Sequence, residues 1–477
     1  MPILFATHTP PGYMDPPRLA ADQVVCGPER PDHSEGDRVV SLRTDLGSYD
    51  LAAVIARLPA AQRPDLVVVR ADATRRNRPG NLAGVEARRV LLIGDTHHGR
   101  APIAGLIRYA KSEPFDLILL DYTRQHAHFF IEAGLRPVHW LPAFAIDPPP
   151  VAGPQAPRHG LTFLGQLRDH HRQRRLMVDR LIEAGLKPEF FMATGTAGQS
   201  LHAASTVAFN CSLNGDLNQR VIEVLAAGGC LLTDRLAPQA GLELLFEPER
   251  HLRLYDGPAD LVAQAKALLA DPAQAAAIAA SGKAHYDEAY SRKPVMAEFA
   301  ALLEGRDGRP AHALARDLRC AKPAAATPAQ LDTRLALYQA LQELHRLEPH
   351  LSVLFAGEAD PDMVSDAVDL PRLAVAVELA LGAAAQAAIG RLTAPGQVTA
   401  QAAESRRWDV IVASSAWLEA AGGPAFLERQ ARALALTDRL PDARKAGAAP
   451  AGFTPWRSFP ALLLSPALAP IARVKPE

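Results

Sequence analysis

The chain has 477 residues, too many for one hydrophobic core, and that length suggests about three domains. Hydrophobic residues make up 48% and charged ones 22%, as in an ordinary soluble globular protein, and a formal net charge of -1 excludes a global basic field that would recruit nucleic acid or an anionic membrane. Any anion site must be local.

Short apolar runs at residues 2–6 and 23–26 read as buried strands ending in Pro- or Gly-containing loops. Residues 39–42 form a third, a helical pattern covers 51–58, and the β-branched run 64–69 suits a strand covered on both faces. Runs at 90–93, 115–120 and 138–141 repeat the pattern. Strands alternating with helices predict a parallel α/β sheet, and such sheets bind ligands at the carboxyl ends of their strands. The residues there are Arg70 and Asp72, then Asp95, His97 and His98, then Asp121 and Tyr122. Asp95 with its two histidines is the best polar cluster of this half, able to act as a base or to hold a hydroxylated acceptor, because an imidazole titrates near neutrality. The plain alternative is an aspartate capping the next turn, with both histidines satisfied by backbone. A metal site from His97, His98, His126 and His128 is disfavoured, since adjacent histidines diverge and no carboxylate sits at a familiar ligand spacing; no metal is expected.

Residues 147–157 are proline-rich and aperiodic, as in an interdomain linker. A second α/β series follows, with strands at 161–165, 190–193, 207–210 and 230–233 and a helix over 174–184. Gly165 lets backbone approach a ligand closely, and Arg168, His170, His171 and Arg172 place positive charge nearby, a plausible diphosphate cradle. Neither G-x-G-x-x-G nor the P-loop lysine pattern occurs there, so ordinary dinucleotide or ATP binding is unsupported.

Residues 210–234 hold the densest signal, a polar loop, then a helix from about residue 217, an Ala-Ala-Gly-Gly break and a short strand. The free N–H groups of a helix start suit an anionic ligand. Arg220 and Glu223 share one helix face with Asn218 flanking them, either as an ordinary i, i+3 ion pair or as groups that hold a nucleotide's phosphates and sugar hydroxyls. Short elements at 242–246 and 252–255 lead to helices at 258–270, 272–280 and 281–290. Residues 305–330 read as a second linker, and 331–347 as an amphipathic helix. Runs at 351–356, 375–379 and 410–413 are strands of a third α/β unit.

The four cysteines, Cys26, Cys211, Cys230 and Cys320, have no C-x-x-C or zinc-like spacing, so free thiols in a reducing compartment are expected. The start lacks a basic segment followed by a long apolar core, and no stretch approaches the ~20 apolar residues of a membrane span. A cytoplasmic protein is the expectation.

The runs at 64–69, 94–98, 115–118 and 134–142, then 163–165, the pattern Asn218-x-Arg220-x-x-Glu223-x-x-Ala226-x-Gly228, residues 231–234 and 278–291, stand in an order that resembles CgeB-like glycosyltransferases. These belong with the wider GT-B transferases related to glycosyl transferases group 1. The resemblance covers about residues 1 to 300. It implies a GT-B fold, two Rossmann-like domains facing across a cleft, with an acceptor-side domain over 1–147, a nucleotide-sugar domain over 158–304 and an accessory α/β domain over 331–477. By the same resemblance Glu223 would accept from the ribose hydroxyls, Arg220, Arg168 and Gly165 would lie near the diphosphate, and Asn218 and Asp216 would lie toward the sugar. His97, then Asp95, would be the acid-base residue, with His98 and Asp72 on the acceptor side. The donor would be UDP- or GDP-linked, with no resident cofactor, and the acceptor a glycan or protein. Many retaining relatives carry two glutamates separated by seven residues; here the earlier position is Gly215, beside Asp216, which leaves the stereochemistry open. Two further readings are a sugar-nucleotide epimerase on the same fold and a binding module that has lost the chemistry. Residues 408–412 faintly resemble a late strand of class I methyltransferases, but only one glycine, Gly357, stands where their cofactor loop is expected. A degenerate module for partner binding or oligomerisation is the expectation for the last third.

Overall fold

The computed structural model describes the chain except residues 152–155, 169, 170, 315–326, 349, 371, 394–396, 440–452, 458, 460 and 469–477. His170, Cys320 and parts of both linkers lie outside the described residues.

Three sheets follow one another. The first holds β1 (Ile3–Ala6), β2 (Val24–Gly27), β3 (His33–Glu35), β4 (Arg38–Arg43), β5 (Leu66–Ala71), β6 (Arg88–Ile93), β7 (Leu117–Leu120) and β8 (Val138–Trp140), in the order β3-β4-β2-β1-β5-β6-β7-β8. Every pair is parallel except β3 with β4. All six residues of β5 are buried, as its unbroken apolar run requires when helices cover both faces. The second sheet, wholly parallel, holds β9 (His159–Leu164), β10 (Glu189–Phe191), β11 (Ser205–Phe209), β12 (Leu231–Asp234) and β13 (Arg253–Tyr255), in the order β10-β9-β11-β12-β13. Two Rossmann-like domains thus face one another across a cleft lined from both.

The third sheet holds β14 (Ser352–Phe355), β15 (Ala374–Val377), β16 (Val398–Ala400), β17 (Trp408–Ala413), β18 (Ala431–Leu436), β19 (Thr454–Pro455) and β20 (Leu463–Leu464). Its order is β16-β15-β14-β17-β18-β20-β19, with β20 antiparallel to both its neighbours.

The chain crosses back after the second domain. The helix Arg292–Leu303 lies against the first domain, where Phe299 packs on Phe144 at 4.6 Å between ring centroids and Arg292 Nη1 donates to the Phe144 carbonyl. The expected break near residue 281 does not occur: one helix runs Pro272–Ala289.

The helix Pro328–Leu347 is the keystone of the three units. Thr327 and Gln330 form a capping box at its start, and residues 334–347 are buried but for Ala336, polar ones included. Four of the buried polar groups have a partner from another unit, while Glu343 and Arg346 pair with each other along the helix. Gln339 Oε1 accepts from the N–H groups of Ile103 and Ala104, capping the helix Pro102–Ser112. His126 Nε2 meets Tyr338 Oη at 2.7 Å, Arg334 pairs with Asp366 and Glu132, and His345 accepts from Gln173 of the second domain. The apolar interior of the first domain runs on through this helix into one face of the third sheet, whereas the second domain keeps a separate cluster around Phe163, Phe209 and Tyr255. The helix is therefore an internal brace over its last three turns.

Candidate active site

The helix Gln219–Ala227 begins where its sequence says it should. Asn218 is the N-cap, its side chain accepting from the Arg220 N–H at 3.1 Å, and Gly228 ends the helix at φ +75°, a left-handed turn that favours glycine. Asn210, at the end of β11, accepts from Arg220 Nη1 at 2.7 Å and from Asn218 at 3.3 Å, so loop and helix start are one hydrogen-bonded unit. The loop is tied to the first domain by the Leu217 N–H, which donates to the Tyr122 carbonyl.

Arg220 does not pair with Glu223. Its guanidinium lies 4.9 Å from the centroid of the Phe163 ring, and the guanidinium of Arg174 lies 5.2 Å from the same ring. Both face the cleft, and among the described residues neither makes an ion pair. Burial depresses both, and the second cation beside it helps to bring Arg220 down to about 10. A methyl group on Gly165 would stand 2.3 Å from Arg220 Nη2, and Gly165 has φ +141°, so glycine here is what lets the guanidinium approach β9. The Glu223 carboxylate lines the same cleft and makes no hydrogen bond among the described residues; burial raises it and Arg220 only partly offsets that.

A helix that sequence reading missed, Gly195–Ala203, enters the cleft beside them. Two glycines gave it poor helical propensity, but Gly198 is needed where a Cβ would stand 3.2 Å from the Ala193 carbonyl oxygen. It contributes Gln199, whose amide donates to the Glu223 carbonyl while its Oε1 is buried without a partner, and His202, whose Nδ1 is likewise unpartnered. Burial, with Arg220 nearby, pushes His202 down to about 3, so it is neutral. Tyr13 and Met192, both exposed, flank the opening from opposite domains.

Across the cleft, the turn after β6 brings Asp95, His97 and His98 together. His98 Nε2 stands 3.3 Å and His97 Nδ1 3.9 Å from the Asp95 carboxylate, and the two rings are 4.1 Å apart. Adjacent histidines therefore do not diverge here. One ligand atom from each of the three residues falls within 4.8 Å of the others, a spacing that could hold a metal ion, and Asp95 is the carboxylate that spacing arguments missed. Burial favours a protonated Asp95, but His97, His98 and Arg70 together outweigh it and hold the carboxyl far below its usual range. Asp216, opposite, is buried and accepts from Ser212 Oγ at 2.9 Å; burial and the charge of Asp95 push it up to about 6. The cleft so enclosed has a volume of about 540 Å³.

The structure brings together Asp95, His97, His98, Gly165, Arg168, Asp216, Asn218, Arg220 and Glu223. It leaves Asp72 out of the cleft lining: that carboxylate is buried, paired with His8 at 3.0 Å and bonded to Thr74. Arg172 pairs with Glu348 of the third unit, and Arg174, one turn face round, takes its place. His126 and His128 are structural, bonded to Thr96 with Tyr338 and to Asp366.

The matching crevice of the third sheet is closed. After β14, the Gly357 N–H donates to Glu378 Oε2 at 2.7 Å, and Trp417 Nε1 donates to the same oxygen at 2.8 Å. The indole sits on Gly357, where a Cβ would be 3.0 Å from Trp417 Cδ1.

Residues 195–301 match a family model described as glycosyl transferase-like. A search of curated proteins gives no match. Solved structures similar to this chain include Anabaena HepE in complex with UDP and glucose, at 14% identity and TM-score 0.45 over 64% of this chain and 100% of that one. Sucrose-phosphate synthase from Thermosynechococcus elongatus is similar at 12% identity and TM-score 0.44, over 64% and 98%. The pneumococcal O-GlcNAc transferase GtfA in complex with UDP and GlcNAc is similar at 12% identity and TM-score 0.37, over 54% and 59%. The chain itself holds two Rossmann-like domains that face one another across the cleft.

Proposed function

We propose that this chain is a glycosyltransferase that moves a sugar from a nucleotide-sugar donor, UDP- or GDP-linked, to a hydroxyl of a glycan or protein. The observation that carries the reading is the pair of arginines at the cleft, Arg174 buried and Arg220 half-buried, with no ion-pair partner among the described residues. Buried positive charge without a counterion is costly, and a diphosphate would supply the missing charge. The glycosyl transferase-like match over residues 195–301 covers this wall of the cleft.

In this reading Glu223 accepts from the ribose hydroxyls, and Arg174, Arg220 and the two helix starts stabilise the departing nucleoside diphosphate. His97 takes the proton of the acceptor hydroxyl. Asp95, held ionised, is a poor base and instead orients the imidazole. Asp216 lies toward the sugar. No resident metal is assigned; turnover that persists in EDTA supports this, and loss restored by added zinc would give Asp95, His97 and His98 a metal-binding role instead. By the resemblance of its motifs the enzyme is CgeB-like, and the three described cysteines, all buried free thiols, support a cytoplasmic setting. Among the described residues no helix is long and apolar enough to cross a membrane.

The test is calorimetry with UDP, GDP and their sugars, followed by product analysis. Expected are nucleotide binding that weakens about tenfold in Glu223→Ala and turnover that collapses in His97→Ala at saturating acceptor. Nucleotide affinity unchanged in Glu223→Ala would remove that residue from the site.

A further inference from the structure

A second group of arginines lies outside the cleft, on the flank of the first domain. A Cβ at Gly105 would stand 3.4 Å from Arg75 Nη2 and 3.5 Å from Arg78 Nη2, so two guanidinium groups converge on one point of the helix Pro102–Ser112. Arg108, three residues on and on the same helix face, lines the adjoining groove of about 630 Å³ with Arg78. None of the three makes an ion pair among the described residues, whereas neighbouring Arg76 pairs with Glu29. Arg78 donates through Nη1 to the Gly105 carbonyl, and its Nε and Nη2 are buried without a partner. Burial, then Arg75 and Arg108, depress the Arg78 guanidinium, the signature of cations crowded together.

The two carboxylates bordering the groove are already engaged. Asp50 accepts from the Ala53 N–H and from Asn81, and Glu113 accepts from the Leu82 N–H. Arg75 is moreover held at φ +63°, a left-handed conformation that a non-glycine residue adopts at a cost. Two guanidinium forks, Arg78 and Arg108, line the groove and a third, Arg75, converges with Arg78 over Gly105 beside it, and such forks suit a tetrahedral oxyanion better than a carboxylate, since each can take two oxygens and a phosphate offers three or four.

We propose that Arg75, Arg78 and Arg108 form a phosphate-binding site on the acceptor-side domain, separate from the donor cleft. The phosphate is either one carried by the acceptor or free inorganic phosphate. The site does not depend on the donor assignment, and because it is read by binding alone, its failure would leave the glycosyl-transfer reading standing.

Inorganic phosphate titrated into the full chain tests it. With the cleft cation removed in Arg220→Ala, phosphate binding to this groove should persist, and it should be at least tenfold weaker when Arg75→Ala or Arg108→Ala is added to that background, both exposed positions where the fold tolerates truncation. Glucose 6-phosphate separates the two sources: tighter binding than inorganic phosphate assigns the groove to a phosphorylated acceptor, and equal binding assigns it to the free anion. Phosphate affinity unchanged in both arginine variants, or no phosphate binding to the wild type, overturns the proposal.

Discussion

The crevice above β9 and β11 and the crevice above β14 and β15 are built alike, each at the carboxyl ends of adjacent parallel strands followed by a glycine with positive φ. The second is filled by its own chain, with Trp417 on Gly357 and Glu378 bonded to both. The first is open, and Arg174 Nε, Gln199 Oε1 and His202 Nδ1 in its walls are buried without a protein partner. Polar groups withdrawn from water without partners destabilise a fold unless a ligand completes them. The contrast therefore separates a ligand site from a structural module better than either fold does, because the folds are the same.

The largest expected effect lies in the open crevice. Arg174→Ala and Arg220→Ala should each weaken nucleotide binding roughly 100-fold, the scale of charge-assisted hydrogen bonds. Each change relieves a like-charged pair but also removes hydrogen bonds, from Arg174 to the Gln166 and Cys211 carbonyls and from Arg220 to Asn210, so the melting temperature should change little; calorimetry and thermal melting together check the two readouts. In the closed crevice the outcome reverses: Trp417→Ala should cost about 2 kcal/mol of stability in denaturant titration and leave nucleotide affinity unchanged. Gly165→Ala should weaken nucleotide binding about tenfold, because the new methyl displaces Arg220, with a small loss of stability from the left-handed backbone.

A last effect is a pH dependence of stability. Asp216, with a folded-state value of about 6 against an ordinary 3.8, binds its proton more tightly in the folded chain than in the unfolded one. Its contribution is present below about pH 4 and is lost as pH rises to about 6, by about 3 kcal/mol at most. Asp216→Asn should flatten the stability curve across that window, measured by urea denaturation at several pH values. A curve identical to the wild type would show that Asp216 does not titrate there.

The strands were legible because buried parallel strands are unbroken apolar runs. β5, β6, β7 and β12 all start and end within two residues of where their sequences point. The donor loop was legible for the same local reason: Asn218 caps and Gly228 ends a helix whose capping chemistry is written in adjacent residues. The helix Gly195–Ala203 was not, since Gly198 makes sense only against Ala193 and Gly195 only through its left-handed φ of +58°. β16, β19 and β20 escaped notice because strands of two or three residues carry little pattern of their own, and β18 because its alternating alanines read as well for a helix. Asp72 was misjudged for a different reason. A carboxylate after a strand looks the same whether it faces a ligand or, as here, a distant histidine, His8.

By itself the amino-acid sequence determined the repeated strand and helix units, the capped helix at Asn218 and the cluster at Asp95, His97 and His98, because periodicity, caps and turns depend on residues near in the chain. Only the tertiary structure decided that Arg174 rather than Arg172 faces the cleft, that Arg220 leaves Glu223 unpaired and that Trp417 closes the third crevice. Those outcomes depend on which groups are buried together, and burial joins residues that are far apart in sequence.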